Sequence, residues 1–330
     1  MSPQTTQDTY LITGVAGFIG SNLASALLNQ NQIVIGLDNL STGFESNLSF
    51  IQSHPNKNNF TFIKGDIRDF DTCQQLCHKS TFVLHQAALG SVPKSMKNPL
   101  LYHENNITGT LNLLEAAKKE NIQRFVFASS SSVYGDTPTL PKIETMPPRP
   151  KSPYAVSKLT GEYYCKLYSQ VYDLPTICLR YFNVFGPKQN PNSQYAAVIP
   201  KFITCSLDNT SPQIYGDGTQ TRDFTFISNV IQANINSCTA SKHAYGEAFN
   251  IGCGDRISIN ELSHQIQTQC QSTAKTTHLN ARAGDVKDSL ACIEKAKKQL
   301  NLKGLISLSD GLKTTIEWYQ KNHTPILKRS

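Results

Sequence analysis

Short apolar runs alternate with longer amphipathic stretches through the first half of the chain. The runs "YLIT" (10–13), "IVIGL" (33–37), "FTFI" (60–63), "TFVLH" (81–85), "RFVFA" (124–128) and "TICLR" (176–180) read as strands. Between them, "ITGTLNLLEAAKKEN" (107–121) and "YAVSKLTGEYYCKLYSQ" (154–170) read as helices. Strands and helices alternating at this spacing predict βαβ units and a parallel, doubly wound α/β sheet. Beyond "YFNVFGP" (181–187) the pattern loosens, and residues 188–225 and 252–310 mix short strands with helices and turns. The expected division is a large domain at 1–185, to which 224–251 returns through "FTFISNVIQANINSC", and a smaller interleaved α/β domain made mainly of 186–330. A chain of 330 residues is long enough for such a pair.

Composition excludes some classes. A hydrophobic fraction of 39% is that of an ordinary globular protein. The opening "MSPQTTQD" has neither the basic residues nor the apolar core of a signal peptide, and no apolar run approaches a membrane span; a cytoplasmic protein is expected. The nine cysteines are scattered, with only Cys73 and Cys77 near neighbours, and no Cys/His spacing suits zinc. They are expected to be reduced, and no metal is expected. The net charge of +7 is spread out, its densest group being "EKAKK" (294–298) on a predicted amphipathic helix, which suits a small anionic ligand better than nucleic acid.

Candidate chemistry begins at "TGVAGFIG" (13–20), which follows the first strand and opens a helix. Gly14, Gly17 and Gly20 permit a tight turn, close approach of a pyrophosphate and close helix packing, and the helix N-terminus offers free N–H groups to phosphates. Asp38 ends the second strand 18 residues after Gly20, where a carboxylate binds ribose hydroxyls and repels a 2′-phosphate; the alternative is a turn-forming aspartate before "NLSTG". NAD is therefore expected over NADP. Asp66, closing the third strand in "KGDI", is expected to reach the adenine. In "SPYAVSK" (152–158), Tyr154 and Lys158 lie one helical turn apart, and an ammonium beside a phenol favours the phenolate, as a proton-transferring base requires. The fifth strand runs into "ASSSSVYGD" (128–136), either a serine-rich turn or a set of catalytic hydroxyls.

These motifs, with "HQAALGSVPKS", "RYFNVFGP", "GDGTQTRDF" and "RAGDVKDSLA", resemble the extended short-chain dehydrogenase/reductase family over nearly the whole chain, and within it the nucleotide-sugar 4-epimerases. The resemblance implies a Rossmann-type fold, tightly held NAD, a place in polysaccharide building, and a homodimer packed through helices at about 99–120 and 152–171. It implies Ser130, four before the tyrosine of "VYG", as the catalytic serine beside Tyr154 and Lys158. To the cofactor it assigns Gly14, Gly17, Phe18, Ile19, Gly20, Asp38, Asn39, Ser41, Thr42, Gly43, Asp66, Ile67, Gln86 and Val184, together with Tyr154 and Lys158. To the sugar it assigns Gly90, Ser91, Val92, Ser130, Ser131, Ser132 and Tyr154. To the nucleotide side it assigns Asn183, Ala197, Val198, Tyr215, Arg222, Arg282 and Asp285, although Arg282 and Asp285, three apart, could also be a surface ion pair. Cys292 departs from the family, where close relatives often carry Asp, and is expected to alter how the last helix is capped.

The implied reaction is a redox detour. Tyr154 takes the proton of the sugar 4-hydroxyl, directly or through Ser130, while hydride leaves C4 for NAD; the 4-keto sugar turns over and receives hydride on its other face. The resemblance places Ser289 against the sugar, where a bulky tyrosine would leave no room for a 2-acetamido group, so a UDP-N-acetylhexosamine is the expected substrate. UDP-glucose and UDP-uronate epimerases are the nearest alternatives. Related dehydratases carry an Asp–Glu pair where this chain has Ser131 and Ser132, and a decarboxylase would need a uronate. A non-catalytic nucleotide-sugar sensor is disfavoured by Ser130, Tyr154 and Lys158 together.

Overall fold

The computed structural model describes residues 7–191, 198–281 and 286–323. From β1 (Thr9–Thr13) a glycine turn leads into α1 (Phe18–Asn29), followed by β2 (Ile33–Asp38), β3 (Phe60–Lys64), α2 (Phe70–His78) and β4 (Phe82–His85). Then α3 (Val92–Lys97), α4 (Pro99–Tyr102) and a π-helical turn at His103–Thr108 run into α5 (Gly109–Lys119), before β5 (Arg124–Ser130), α6 (Pro153–Val171) and β6 (Thr176–Tyr181). The remainder comprises β7 (Val184–Phe185), α7 (Val198–Leu207), β8 (Gln213–Tyr215), β9 (Thr221–Arg222), β10 (Thr225–Phe226) and α8 (Ile227–Cys238). It continues with β11 (Glu247–Ile251), β12 (Ile257–Ser258), α9 (Ile259–Cys270), β13 (Thr277–Leu279), α10 (Glu294–Gln299) and α11 (Leu308–Asn322).

Seven parallel strands form the central sheet in the order β3-β2-β1-β4-β5-β6-β11. The expected doubly wound sheet is thus present. The chain winds outward from β1 to β3, then returns to β4 on the other side of β1. That reversal opens a crevice at the carboxyl ends of β1 and β4, where such sheets bind ligands.

Successive side chains point to opposite faces, so each strand feeds two cores. Leu11, Val83, Phe125 and Phe127 join the core beneath α2, α5 and α6, whereas Tyr10, Ile12, Leu84 and Val126 join the one beneath α1 and α8. A Cβ on Gly161 of α6 would lie 2.3 Å from the Phe127 ring, so this glycine sets how closely the helix approaches β5. The segment 224–238 reaches the sheet mostly as a helix, α8, packed on α1, β5 and β6. The strand that joins the sheet comes later, as β11.

Small two-stranded pairings, β8 with β13 and β9 with β12, frame the remaining region with α7 and α9. All nine cysteines are free, and among the described residues no helix is long and apolar enough to cross a membrane. No group of three His, Cys, Asp or Glu among them is placed to hold a metal ion.

Candidate active site

The first cleft lies at the switch point. Gly14 has φ +71° and its N–H donates to the Leu37 carbonyl at 2.7 Å. A Cβ on Gly20 would stand 2.2 Å from the Gly14 carbonyl oxygen, and one on Gly14 would stand 2.8 Å from the Ala87 nitrogen. No side chain larger than hydrogen fits either place. Gly17 caps α1 without any side-chain hydrogen bond, and the first turn, Phe18 and Ile19 included, holds no acidic residue. The positive helix end therefore faces the cleft uncompensated, as a diphosphate requires.

Asp38 is buried in the same cleft and accepts hydrogen bonds from the Ala16 N–H at 2.9 Å and the Leu40 N–H at 2.8 Å. Burial raises its pKa and the two N–H donors oppose that rise. Asn39, Ser41, Thr42, Gly43, Ile67 and Gln86 complete the wall. These residues fit the dinucleotide that the sequence leads one to expect. Asp66 behaves otherwise: Arg68 grips it through Nε at 3.0 Å and Nη2 at 2.8 Å, holding its pKa down at about 2, and Asn39 adds a bond at 2.9 Å. Its neighbours Gly65 and Ile67 line the cleft in its place. Ala87, Ala88, Leu89 and Asn105 also line it and were not foreseen: the first three are apolar residues just after β4 with no signal of their own, and Asn105 comes from the π-helical turn.

At the end of β5, the Ser130 side chain accepts from the Ser132 N–H at 3.2 Å and opens the tight turn Ser131–Tyr134. Gly135 ends that turn at φ +62°, where a Cβ would meet the Arg149 carbonyl at 2.0 Å. Helix α6 begins beside it, with Pro153 in the first turn and Ser152 as its cap. Tyr154 and Lys158 share a face of this helix, and the Ser130 side chain acts on the Tyr154 phenol, favouring its charged form.

The electrostatics differ from the expectation that lysine lowers the phenol's pKa. Burial pushes Tyr154 up, the Ser130 hydrogen bond pulls it down, and Tyr102 pushes it further up. The Lys158 ammonium lies 6.0 Å from the Tyr154 ring centre and donates instead to the Ala128 carbonyl at 2.7 Å. Burial brings Lys158 itself down to about 8. Desolvation, which disfavours every charged form, is the largest influence on both groups.

A second layer holds this constellation. Asn106, in the π-helical turn, donates to the Leu89 carbonyl at 3.1 Å and to Ser157 Oγ at 3.0 Å, and accepts from the Leu89 N–H at 2.8 Å. Ser157 donates to the Tyr154 carbonyl at 2.7 Å. One asparagine thus ties the loop after β4 to the helix carrying Tyr154. Only the widened π turn, invisible in the sequence pattern, marks it.

A second cleft is lined by Asn183, Val184, Val198, Tyr215 and Arg222. Val184, assigned to the cofactor from sequence, lines this cleft. Asn183 Nδ2 donates to Ser289 Oγ at 3.2 Å and to the Asp223 carbonyl at 2.8 Å. Ser289 is therefore half-buried beside Asn183, although 106 residues separate them. Asp223 is fully buried and accepts from the Cys253, Gly254 and Ala291 N–H groups at 2.8, 3.1 and 3.0 Å, with burial pushing its pKa up to about 6. It was missed because "RDF" draws attention to its arginine. Arg222 donates to the Thr221 and Lys287 carbonyls at 2.8 and 2.9 Å.

Gly90, Ser91 and Val92 lead into α3, which Ser91 caps and which packs on α6, and the Ser91 N–H donates at 3.1 Å to the Tyr102 hydroxyl. Ser132 Oγ is buried and has no hydrogen-bond partner among the described residues. Ala197, Arg282 and Asp285 lie outside the described residues. Cys292 does not cap a helix: α10 begins after Ile293 with no side-chain cap, and the Cys292 N–H donates to the Lys142 carbonyl at 2.9 Å.

The chain is similar to several proteins over nearly its whole length. A solved structure of a UDP-N-acetylglucosamine 4-epimerase from Methanobrevibacter ruminantium, in complex with UDP-N-acetylmuramic acid, matches with a TM-score of 0.90 and 40% identity, covering 96% of this chain and 99% of that one. A UDP-glucose 4-epimerase from Thermotoga maritima, solved with UDP-glucose, matches with a TM-score of 0.89 and 33% identity over 95% of this chain and 99% of that one. The UDP-glucuronate 4-epimerase of Thermodesulfobacterium geofontis is 37% identical over 322 residues, 95% of this chain and 96% of its own. The profile of the NAD dependent epimerase/dehydratase family matches residues 10–252, which hold the glycine turn, Asp38, Ser130, Tyr154 and Lys158, and the chain belongs to that family.

Proposed function

We propose that the protein is an NAD-dependent UDP-sugar 4-epimerase and that its preferred pair is UDP-N-acetylglucosamine and UDP-N-acetylgalactosamine. The two clefts support a dinucleotide in one and a nucleotide sugar in the other. Bound NAD supplies a hydride acceptor that returns the hydride. Tyr154 receives the proton of the 4-hydroxyl, Ser130 stabilises the phenolate by its hydrogen bond, and Lys158 holds the nicotinamide ribose. Arg222 faces the diphosphate with a fork of donors. Ser132 Oγ, otherwise orphaned, takes a polar substituent of the ring, which a buried hydroxyl requires.

The observation that carries the acetamido reading is Ser289 against Asn183. A hydroxymethyl leaves space there, whereas a tyrosine ring would overpack the site by about 1–3 kcal/mol, roughly 5- to 150-fold in rate. Ser289→Tyr is expected to lose activity on UDP-N-acetylglucosamine selectively while UDP-glucose turnover survives. Equal losses on both would remove the acetamido assignment. UDP-glucuronate belongs in the same assay, because the orphan Ser132 hydroxyl also suits a C6 carboxylate; faster turnover of that sugar would make the protein a uronate epimerase.

We also propose a homodimer. Met96, Leu100, Tyr163 and Val171, on α3, α4 and α6, are 61, 78, 60 and 58% exposed. So much large apolar surface on adjoining helices fits a second copy of the chain.

A further inference from the structure

Beneath the serine turn lies a buried charge pair that the reaction itself does not use. Glu162 stands one helical turn beyond Lys158, so Tyr154, Lys158 and Glu162 share one strip of α6. Arg180 on β6 meets Glu162 through Nε at 2.9 Å and Nη2 at 2.7 Å, and each side chain is only 7% exposed. Both partners reach back to the turn. Glu162 accepts from Ser129 Oγ at 2.5 Å, and Ser129 directly precedes Ser130. Arg180 Nη1 donates to the Tyr134 hydroxyl at 2.8 Å, and that hydroxyl donates to Asn250 Oδ1 at 2.6 Å.

A pure stability role does not account for this arrangement, because apolar residues of similar volume commonly replace a buried ion pair at no loss. What apolar residues cannot supply is a fixed bond to each side of the turn. We propose that the Glu162–Arg180 pair is a positioning device: by tying Ser129 and Tyr134, on either side of Ser130, to the helix that bears Tyr154, it holds the Ser130 hydroxyl in bonding place on the phenol. The proposal rests on Ser130 and Tyr154 acting as assigned above.

The test compares wild type with Glu162→Gln, Glu162→Met/Arg180→Met, Ser129→Ala, Ser129→Thr and Ser130→Ala on UDP-N-acetylglucosamine and UDP-glucose. The paired methionines are expected to restore most of the Tm that Glu162→Gln alone loses and to leave KM within about twofold, while kcat falls about 10- to 100-fold, below the full scale of acid–base catalysis. Ser130 is the group that pulls the phenol's pKa down, so loosening it should move the ascending limb of the pH–rate profile to higher pH. Ser129→Ala should show the same signature more weakly, and Ser129→Thr should reverse it. Normal kcat and an unshifted limb in the paired variant overturn the proposal, and normal kcat in Ser129→Ala overturns it should the paired variant not fold. If Ser130→Ala itself keeps full turnover, the catalytic reading falls and the positioning role with it.

Discussion

The two clefts are built on different plans. Around Gly14, Gly17 and Gly20 the backbone makes the site: a turn with no room for a Cβ, an uncapped helix end, and one carboxylate pinned by two N–H groups. In the second cleft side chains make it, and they come from far apart. Asn183, Asp223 and Ser289 meet through bonds spanning 40 to 106 residues. A backbone site tolerates change at its walls but not at its turn, whereas a side-chain site can be retuned one residue at a time. Cofactor binding should therefore be brittle at a few glycines, and sugar choice should be adjustable.

The largest expected effect tests whether the two plans separate at Tyr154. Tyr154→Phe removes one oxygen and nothing from the dinucleotide cleft. It should retain NAD, measured by acid release, and lose at least about 10²-fold in kcat, the scale of general acid–base catalysis. Near-normal turnover would remove Tyr154 as the base.

A backbone lesion should do the reverse. In Gly20→Ala the new methyl meets the Gly14 carbonyl at 2.2 Å and Val15 Cα at 2.8 Å, so the turn must shift. Overpacking of this kind costs about 1–3 kcal/mol. The variant should be purified largely free of NAD, while UDP, followed by calorimetry, binds within about twofold of wild type. Loss of both ligands together would mean that the clefts are not independent.

The smallest effect is on stability. Burial lowers Lys158 from 10.5 to about 8, so the folded state carries its charge at a cost. Below about pH 8 both states are charged and the cost is complete; between about pH 8 and 10.5 the unfolded chain binds the extra proton, and wild type gains stability as pH rises. Lys158→Met should accordingly have a higher Tm than wild type at pH 7, an advantage shrinking above pH 8, while turnover collapses. A lower Tm at pH 7 would show that the bond to the Ala128 carbonyl outweighs desolvation.

Legibility in the sequence followed the same line. The glycine turn, Asp38 and the Tyr154–Lys158 pair were readable because each lies within a single local element whose spacing is its signal. Asn106 was not, since its role depends on a π turn and on Ser157 lying across from it. The pairing of Asp66 with Arg68, two residues on, was not legible either, because it depends on side-chain conformation. The burial of Tyr154 and the bond from Lys158 to the Ala128 carbonyl were not legible, because helical spacing reports which face a lysine shares, not what its ammonium bonds to.

From the sequence alone came the alternation that builds the parallel sheet, the glycine turn and the one-turn spacing of Tyr154 and Lys158, all written in short-range periodicity and steric need, with Ser130 added by resemblance. Only the folded chain decided that Tyr154 is buried, that Val184 lines the second cleft, and that Ser289 meets Asn183. Those facts depend on desolvation and on contacts between distant segments. Local sequence encodes neither, because both arise only once the chain has packed.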